Sequence, residues 1–325
     1  MNWNSLNTII SKSSNIILST HINPDGDGIG SELGMYYYLK SINKKCSIVN
    51  ISKTPPFLDF IDPDDIIEVW DNKSHLDEFS KYDLAIIFDI GDYRRLGKIA
   101  ECIKQNHTYS ASIDHHPYED SFFDLAIVDK SYPATGQMVW DFLQFNNINK
   151  LSKLQATALY AALITDTGSF RYSSTNPASH NMASNLLECG VNPYLVYESI
   201  YERRSKEQIA LLSKAINNLN FYYNGLICGA VITQEMLDEV GANTSHVEGF
   251  TDFFRSINKV EIAYCIIEQS NNIRMNFRSR GKYIINDIAK SFGGGGHKLA
   301  AGATIANKTI LEIEDEILKQ IKRKI

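Results

Sequence analysis

Hydrophobic and polar positions change their period along the chain, and the change divides it. Over residues 1 to about 200, short apolar runs alternate with longer segments of helical spacing. Residues 15–21 form an apolar run that ends in polar residues, as a buried strand does. Residues 29–39 read as a helix and 44–50 as a second strand. Residues 83–90 and 109–116 are further buried strands, and 135–145 and 151–168 have helical length and spacing. Strands alternating with helices predict a mainly parallel sheet with helices on both faces. The charged, glycine-free stretch 202–219 reads as a linker passing into a helix. Beyond it, 220–233, 261–270 and 272–280 read as three strands. Residues 292–304 read as a glycine-rich turn, a short helix start and a final strand, and 311–325 as a closing amphipathic helix. The expected organisation is α/β throughout, with a catalytic domain over 1–201, a linker and helix over 202–219, and a smaller domain over 220–325.

Composition narrows the class. A chain of 325 residues exceeds the usual single-domain size, which agrees with two domains. The first twenty residues lack the basic start and apolar core of a signal peptide, and no apolar run approaches the roughly 20 residues that cross a bilayer. Cys46, Cys102, Cys189, Cys228 and Cys265 are far apart with no CxxC pair, so neither a disulfide framework nor a thiolate zinc site is indicated and a reducing cytoplasm is expected. Net charge is −6, which opposes a grip on long duplex nucleic acid through many phosphates. A small anionic substrate met by cations and a few arginines remains open.

Four clusters carry candidate chemistry: His21, Asp25 and Asp27 among glycines 26, 28 and 30; Asp89 with Asp92; Asp114-His115-His116; and Asp166 ahead of Phe170 and Arg171. Ligands in open α/β sheets bind outside the carboxyl ends of the strands, where the first three clusters fall. The glycines resemble a phosphate-binding loop, with a tight turn expected there, yet Asp25 and Asp27 would repel a phosphate unless cations intervened. Each cluster alone has a plain explanation: a polar loop residue for His21, turn chemistry for Asp25 and Asp27, helix-terminal roles for Asp89 and Asp166. Together they read as a metal site. Carboxylates with a minority of imidazoles suit Mn²⁺, with Mg²⁺, Co²⁺ or Fe²⁺ as alternatives. Six candidate ligands suit two ions about 3.5–4 Å apart, sharing a carboxylate and a water.

These clusters, in this order, resemble the motifs of the DHH phosphoesterase family, named for the triplet Asp114-His115-His116. The second domain resembles the companion DHHA1 domain, whose signature is seen as Gly293-Gly-Gly-Gly-His297-Lys-Leu-Ala-Ala-Gly302. The resemblance implies an active site in a cleft between the domains. It implies one metal on His21, Asp25 and Asp89 and another on Asp27, Asp89, His115 and Asp166, with Asp89 bridging. Asp114 would orient a ligand histidine, and His116 would contact the scissile phosphate or act as general acid. Asp92 and Arg95 would brace the site.

Between Asn271 and Lys298 the chain carries Arg274, Arg278, Arg280, Lys282, Lys290 and Lys298 against one acid, Asp287. The resemblance assigns Arg278 to a substrate phosphate, and the amides of Gly294, Gly295 and Gly296 with His297 make a nest for a second. A solvated basic strand and a flexible turn are the plain alternative. Within the family the compact organisation is similar to the oligoribonuclease type. That implies RNAs two to five nucleotides long, or nucleotide 3′,5′-bisphosphates such as 3′-phosphoadenosine 5′-phosphate, as partners, with no membrane, no long duplex and a homodimer left open. A cyclic or linear dinucleotide phosphodiesterase, and a silent nucleotide-binding sensor, are the alternatives.

Overall fold

The computed structural model describes residues 1–117 and 122–325 and divides into two compact units, Met1–Arg203 and Arg204–Ile325.

In the first unit, β1 (Asn15–Ser19), β2 (Lys45–Asn50), β3 (Ile67–Val69), β4 (Leu84–Phe88), β5 (Tyr109–Asp114) and β6 (Leu125–Val128) form one sheet in the order β3-β2-β1-β4-β5-β6. Every pairing is parallel. The helices are α1 (Trp3–Lys12), α2 (Gly26–Ser41), α3 (Asn72–Glu78), α4 (Lys98–Asn106), α5 (Thr135–Phe145), α6 (Lys153–Asp166), α7 (Pro177–Glu188) and α8 (Pro193–Tyr201). Alternate strand residues feed two cores, because successive side chains leave a strand on opposite faces. Ile16, Leu18, Ile86 and Phe88 pack with Ile29 and Leu33 of α2 and with Leu159 of α6. Ile17, Ala85 and Ile87 pack with Ile99 and Ile103 of α4. The order reverses between β1 and β4, and a crevice forms at such a point outside the strands' carboxyl ends.

The structure changes the reading of the first glycine cluster. Gly26, Gly28 and Gly30 do not make a loop; they lie in the first turns of α2. A Cβ on Gly30 would stand 2.3 Å from the Ala158 carbonyl oxygen of α6. The bare position lets α2 and α6 touch backbone to backbone, which draws Asp27 and Asp166 together.

The second unit contains α9 (Lys206–Asn217), β7 (Asn220–Tyr222), β8 (Ile227–Ile232), α10 (Gln234–Val240), α11 (Phe250–Arg255), β9 (Ile262–Glu268), β10 (Ile273–Ser279), α12 (Asn286–Ser291), β11 (Gly295–His297), β12 (Ala300–Ile305) and α13 (Ile310–Lys322). Its sheet runs β11-β12-β10-β9-β8-β7, antiparallel except for β8 on β9. Leu211 of α9, Leu237 of α10 and Phe250 and Phe254 of α11 pack on one face, against residues of β8 and β9. Ile288 of α12 and Ile313, Ile317 and Ile321 of α13 pack on the other.

Two expectations fail here. Residues 220–233 are not one strand, because Tyr223, Asn224 and Gly225 take left-handed φ values and fold them into a β7–β8 hairpin. No helix starts after the glycine run; Gly295–His297 instead pairs with Ala300–Gly302 as a second hairpin. Among the described residues no helix is long and apolar enough to cross a membrane.

Candidate metal centre

His21 follows β1, Asp89 follows β4, and His115 and His116 follow β5, so three adjacent parallel strands deliver their next residues to one edge. Asp25 caps α2, its Oδ1 accepting from the backbone N–H of Asp27 and Gly28 at 3.0 and 3.2 Å. Asp166 is the last residue of α6. Thr20 Oγ1 donates to the Phe88 carbonyl at 2.8 Å and ties the ends of β1 and β4 together.

Among the described residues, three groups of potential ligands converge with donor atoms within 4.8 Å of one another: His21, Asp25 and Asp89; Asp27, His115 and Asp166; and Asp89, His115 and His116. Asp89 and His115 each serve two groups. His115 Nε2 lies 3.1 Å from Asp166 Oδ2, 3.4 Å from Asp89 Oδ1 and 3.8 Å from Asp27 Oδ2. It is buried and makes no hydrogen bond, while Nδ1 of the same ring faces the Tyr132 carbonyl at 3.1 Å. A buried imidazole nitrogen aimed among three carboxylates, its other nitrogen fixed by a carbonyl, is the arrangement of a lone pair offered to a cation.

The electrostatics point the same way. Burial and then the Asp89 and Asp166 charges push Asp27 well above the usual carboxylate range. Burial also opposes charge on Asp89, but the adjacent imidazoles of His115, His116 and His21 hold it well below that range. Burial disfavours the imidazolium forms too, yet the carboxylates prevail and raise His21 to about 9, His116 to about 10 and His115 to about 12. Five clustered carboxyl groups, of Asp25, Asp27, Asp89, Asp114 and Asp166, therefore hold protons on their histidines in the absence of another cation. The donor set fits divalent metal.

The remaining contacts fix these groups. Asp89 has φ of 54°, a left-handed conformation uncommon for a side-chain-bearing residue. Asp114 stabilises that turn: its Oδ2 accepts from Ile90 N at 3.1 Å and Gly91 N at 2.6 Å. Its Oδ1 accepts from His116 N at 2.8 Å and faces His116 Nδ1 at 2.9 Å. Asp114 thus holds His116, whereas His115 is held by Tyr132. Asp92 pairs with Arg94, and Arg95 donates to the Ile90 carbonyl at 3.3 Å. Sequence reasoning missed Thr135 and Gly136. Their N–H groups, at the start of α5, donate to Asp27 at 2.7 and 2.8 Å, and Thr135 Oγ1 donates to Asp89 at 3.2 Å. The helix start clamps a carboxylate as helix N-termini do, and the only sequence signal was a Thr-Gly pair opening a helix.

In the second unit, Arg274, Asn276 and Arg278 leave β10 on one side and line a shallow cavity of about 530 Å³ with Gly294, Gly295 and His297. Arg278 Nε donates to Asp252 of α11 at 2.9 Å, a partner absent from the sequence expectation. A Cβ on Gly294 would stand 2.1 Å from the Gly302 carbonyl oxygen, so this glycine secures the approach of β11 to β12.

A parallel sheet with ligand clusters of this chemistry at its switch point defines a metal-dependent hydrolase domain. The model described as the DHH family, N-terminal domain, matches residues 15–163, and the DHHA1 domain model matches residues 228–325. The chain belongs to the DHH family and is a metal-dependent phosphoesterase. Similar proteins include one from Thermus thermophilus, 26% identical over 95% of this chain and 90% of its own, named bifunctional oligoribonuclease and PAP phosphatase NrnA. A protein of the same name from Bacillus subtilis is 28% identical over 89% of each chain. Among solved structures, an exopolyphosphatase-related protein from Bacteroides fragilis shares the fold, with a TM-score of 0.93 at 24% identity over 99% of this chain and 96% of that one.

Proposed function

We propose that this chain is a cytoplasmic enzyme that hydrolyses short single-stranded oligoribonucleotides to mononucleotides and removes the 3′-phosphate of 3′-phosphoadenosine 5′-phosphate to give AMP. The observation that carries the reading is the pair of ligand groups joined through Asp89 and His115 at the crevice between β1 and β4. The substrate class follows from the two relatives named as oligoribonucleases and PAP phosphatases, each matched over about nine-tenths of its length.

His21, Asp25 and Asp89 would hold one divalent ion and Asp27, Asp89, His115 and Asp166 a second, with Mn²⁺ the ion best suited to this mixture of oxygen and imidazole donors. When bound, such ions lower the pKa of water and neutralise charge on the phosphate. The chain's own groups do the rest. Asp114 keeps His116 Nδ1 occupied, so Nε2 is the ring atom suited to protonate the leaving oxygen. The α5 start holds Asp27 against rotation. Arg278 and His297, with the amides of Gly294, Gly295 and Gly296, bind the non-scissile part of the nucleotide. Five free cysteines agree with a reducing compartment.

The test sets a labelled RNA dinucleotide beside 3′-phosphoadenosine 5′-phosphate, with Mn²⁺ and with chelator. Mononucleotide release that chelator abolishes is the expected result. Phosphate release from the bisphosphate alone would restrict the enzyme to phosphatase chemistry, and turnover of neither would overturn the substrate class.

A further inference from the structure

The segment after Asp166 is built at a conformational cost that metal ligation does not explain. Gly168, Ser169 and Phe170 all have positive φ, at 55°, 58° and 65°. Two consecutive side-chain-bearing residues in the left-handed region are rare, and such strain persists only where surrounding contacts enforce it. Here they do. Ser169 N donates to the Ile164 carbonyl at 2.7 Å, Phe170 N to Thr167 Oγ1 at 3.1 Å and Tyr172 N to the Thr167 carbonyl at 3.0 Å. The Phe170 ring stacks on His180 with centroids 4.9 Å apart.

The turn presents Arg171 and Tyr172 to solvent. Arg171 Nε donates to the Gly168 carbonyl at 2.8 Å, which fixes the guanidinium, and among the described residues no carboxylate pairs with it. The Tyr172 ring is 42% exposed and lies over Gly168, two residues beyond the ligand Asp166. The Tyr201 hydroxyl of α8 donates at 3.1 Å to the Ile164 carbonyl, which also accepts from Ser169 N. The Tyr197 ring, 43% exposed, lies 4.9 Å from that of Tyr201. An anchored cation beside exposed aromatic rings, continuous with the metal cluster, matches a charged backbone carrying flat bases. In a protein of net charge −6 such a cation is a local feature.

We propose that Arg171 and Tyr172 form a nucleotide grip beside the metal centre, the guanidinium pairing with a phosphate next to the scissile one and the ring stacking on a base, with Tyr197 stacking on a second base. The grip rests on the oligonucleotide reading above. Stacking accepts any base, so it favours single-stranded substrates of mixed sequence.

The test compares kcat and KM on an RNA dinucleotide and on an abasic dinucleotide for the wild type and for Tyr172→Leu, Tyr172→Phe, Tyr197→Leu and Arg171→Gln. Mn²⁺ affinity is measured for each. Tyr172→Leu should raise KM for the dinucleotide roughly tenfold, the usual weight of one base stack, and leave the abasic substrate and metal affinity unchanged. Tyr172→Phe should restore the wild-type KM. Arg171→Gln should raise KM for both substrates. Equal losses on both substrates for Tyr172→Leu, or weakened Mn²⁺ binding, would assign Tyr172 to bracing Asp166 and overturn the grip. A wild type that cleaves no RNA dinucleotide is a failure of the substrate reading, and binding of 2-aminopurine nucleotide then decides the grip. Fluorescence quenching lost in Tyr172→Leu supports it, and no quenching by the wild type overturns it.

Discussion

The metal-binding edge of the first unit and the outward face of β10 to β12 in the second both gather polar side chains, but by opposite construction. At the metal edge most of the charged groups are buried, Asp25 being the exposed one, and backbone fixes three of the carboxylates: Asp27 by the start of α5, Asp25 within its own cap, and Asp114 by the turn after β4. On the second face, Arg274, Asn276 and Arg278 stand on a strand beside a cavity floored by glycines, and Arg278 shares its guanidinium with Asp252. Rigid burial suits chemistry that needs ligands held to within about half an ångström, whereas an open face with one exchangeable ion pair suits substrate capture. Losses at the first should therefore be all-or-none and losses at the second graded.

The comparison is broken most directly at Asp89, which contributes to two of the ligand groups. Asp89→Asn keeps the shape and removes the charge that three histidines stabilise. We expect kcat/KM on an RNA dinucleotide to fall on the order of 10⁴-fold, as when one member of a concerted catalytic unit is lost. Circular dichroism should report an unchanged fold. Activity within tenfold of wild type would mean that Asp89 is no shared ligand.

Proton bookkeeping gives the next largest effect. His21, His115 and His116 are raised to about 9, 12 and 10 by their carboxylates, so at neutral pH the metal-free edge holds imidazolium protons. A ligand nitrogen must lose its proton to bind metal, so binding releases protons and affinity rises with pH. The expected slope is about tenfold in Mn²⁺ affinity per pH unit for each proton released, from pH 6 toward 9. Calorimetry in buffers of different ionisation enthalpy counts those protons, and zero release would show that the histidines do not ligate.

At the second face, Arg278→Ala should raise KM for the dinucleotide about 10- to 30-fold with a smaller change in kcat, the range for losing a hydrogen bond to a charged group. Arg278→Lys should recover part of it, since an ammonium keeps the charge but loses the fork. An Arg278→Ala variant with kcat down a thousandfold and KM unchanged would erase the distinction between capture and chemistry.

How much of each region was legible follows from the same contrast. Asp89 could be read because it ends the apolar run Leu84–Phe88, and His21 and His115 because each lies in the polar cluster that follows a predicted strand; a parallel sheet brings such ends to one side. The clamp on Asp27 could not be, since its donors are backbone N–H groups more than a hundred residues away. Strands β3 and β6 went unnoticed because both are short, incompletely buried edge strands, and the apolar run of β6 is only four residues long. The β7–β8 hairpin hid inside 220–233 because Tyr223 and Asn224 supply the left-handed positions beside the single Gly225. In the second unit the glycine run was visible, but its use as strand β11 depends on pairing with β12, and Asp252 is 26 residues from the arginine it meets.

A buried carboxyl just behind the metal edge sharpens the comparison at the smallest scale. Glu32 lies on α2 with no solvent exposure, accepts from Asn50 Nδ2 at 2.9 Å through Oε2, and leaves Oε1 without a partner. Burial pushes its pKa up to about 8, so near pH 7 it is largely the neutral acid, unlike Asp89. Asn50 Oδ1 accepts from the Thr20 N–H at 3.1 Å, so the pair supports the end of β1 that delivers His21. A carboxyl whose folded pKa lies above its unfolded value draws stability away as pH rises between the two, from about 4.5 to about 8. Glu32→Gln removes that ionisation. Its melting temperature should stay within a few degrees of wild type at pH 5 and gain on wild type by pH 8, with kcat changed less than about threefold. Parallel melting curves for the two proteins across that range would show that Glu32 stays charged, held by a cation rather than by its own proton, and the metal edge would then extend one layer deeper than its ligand groups.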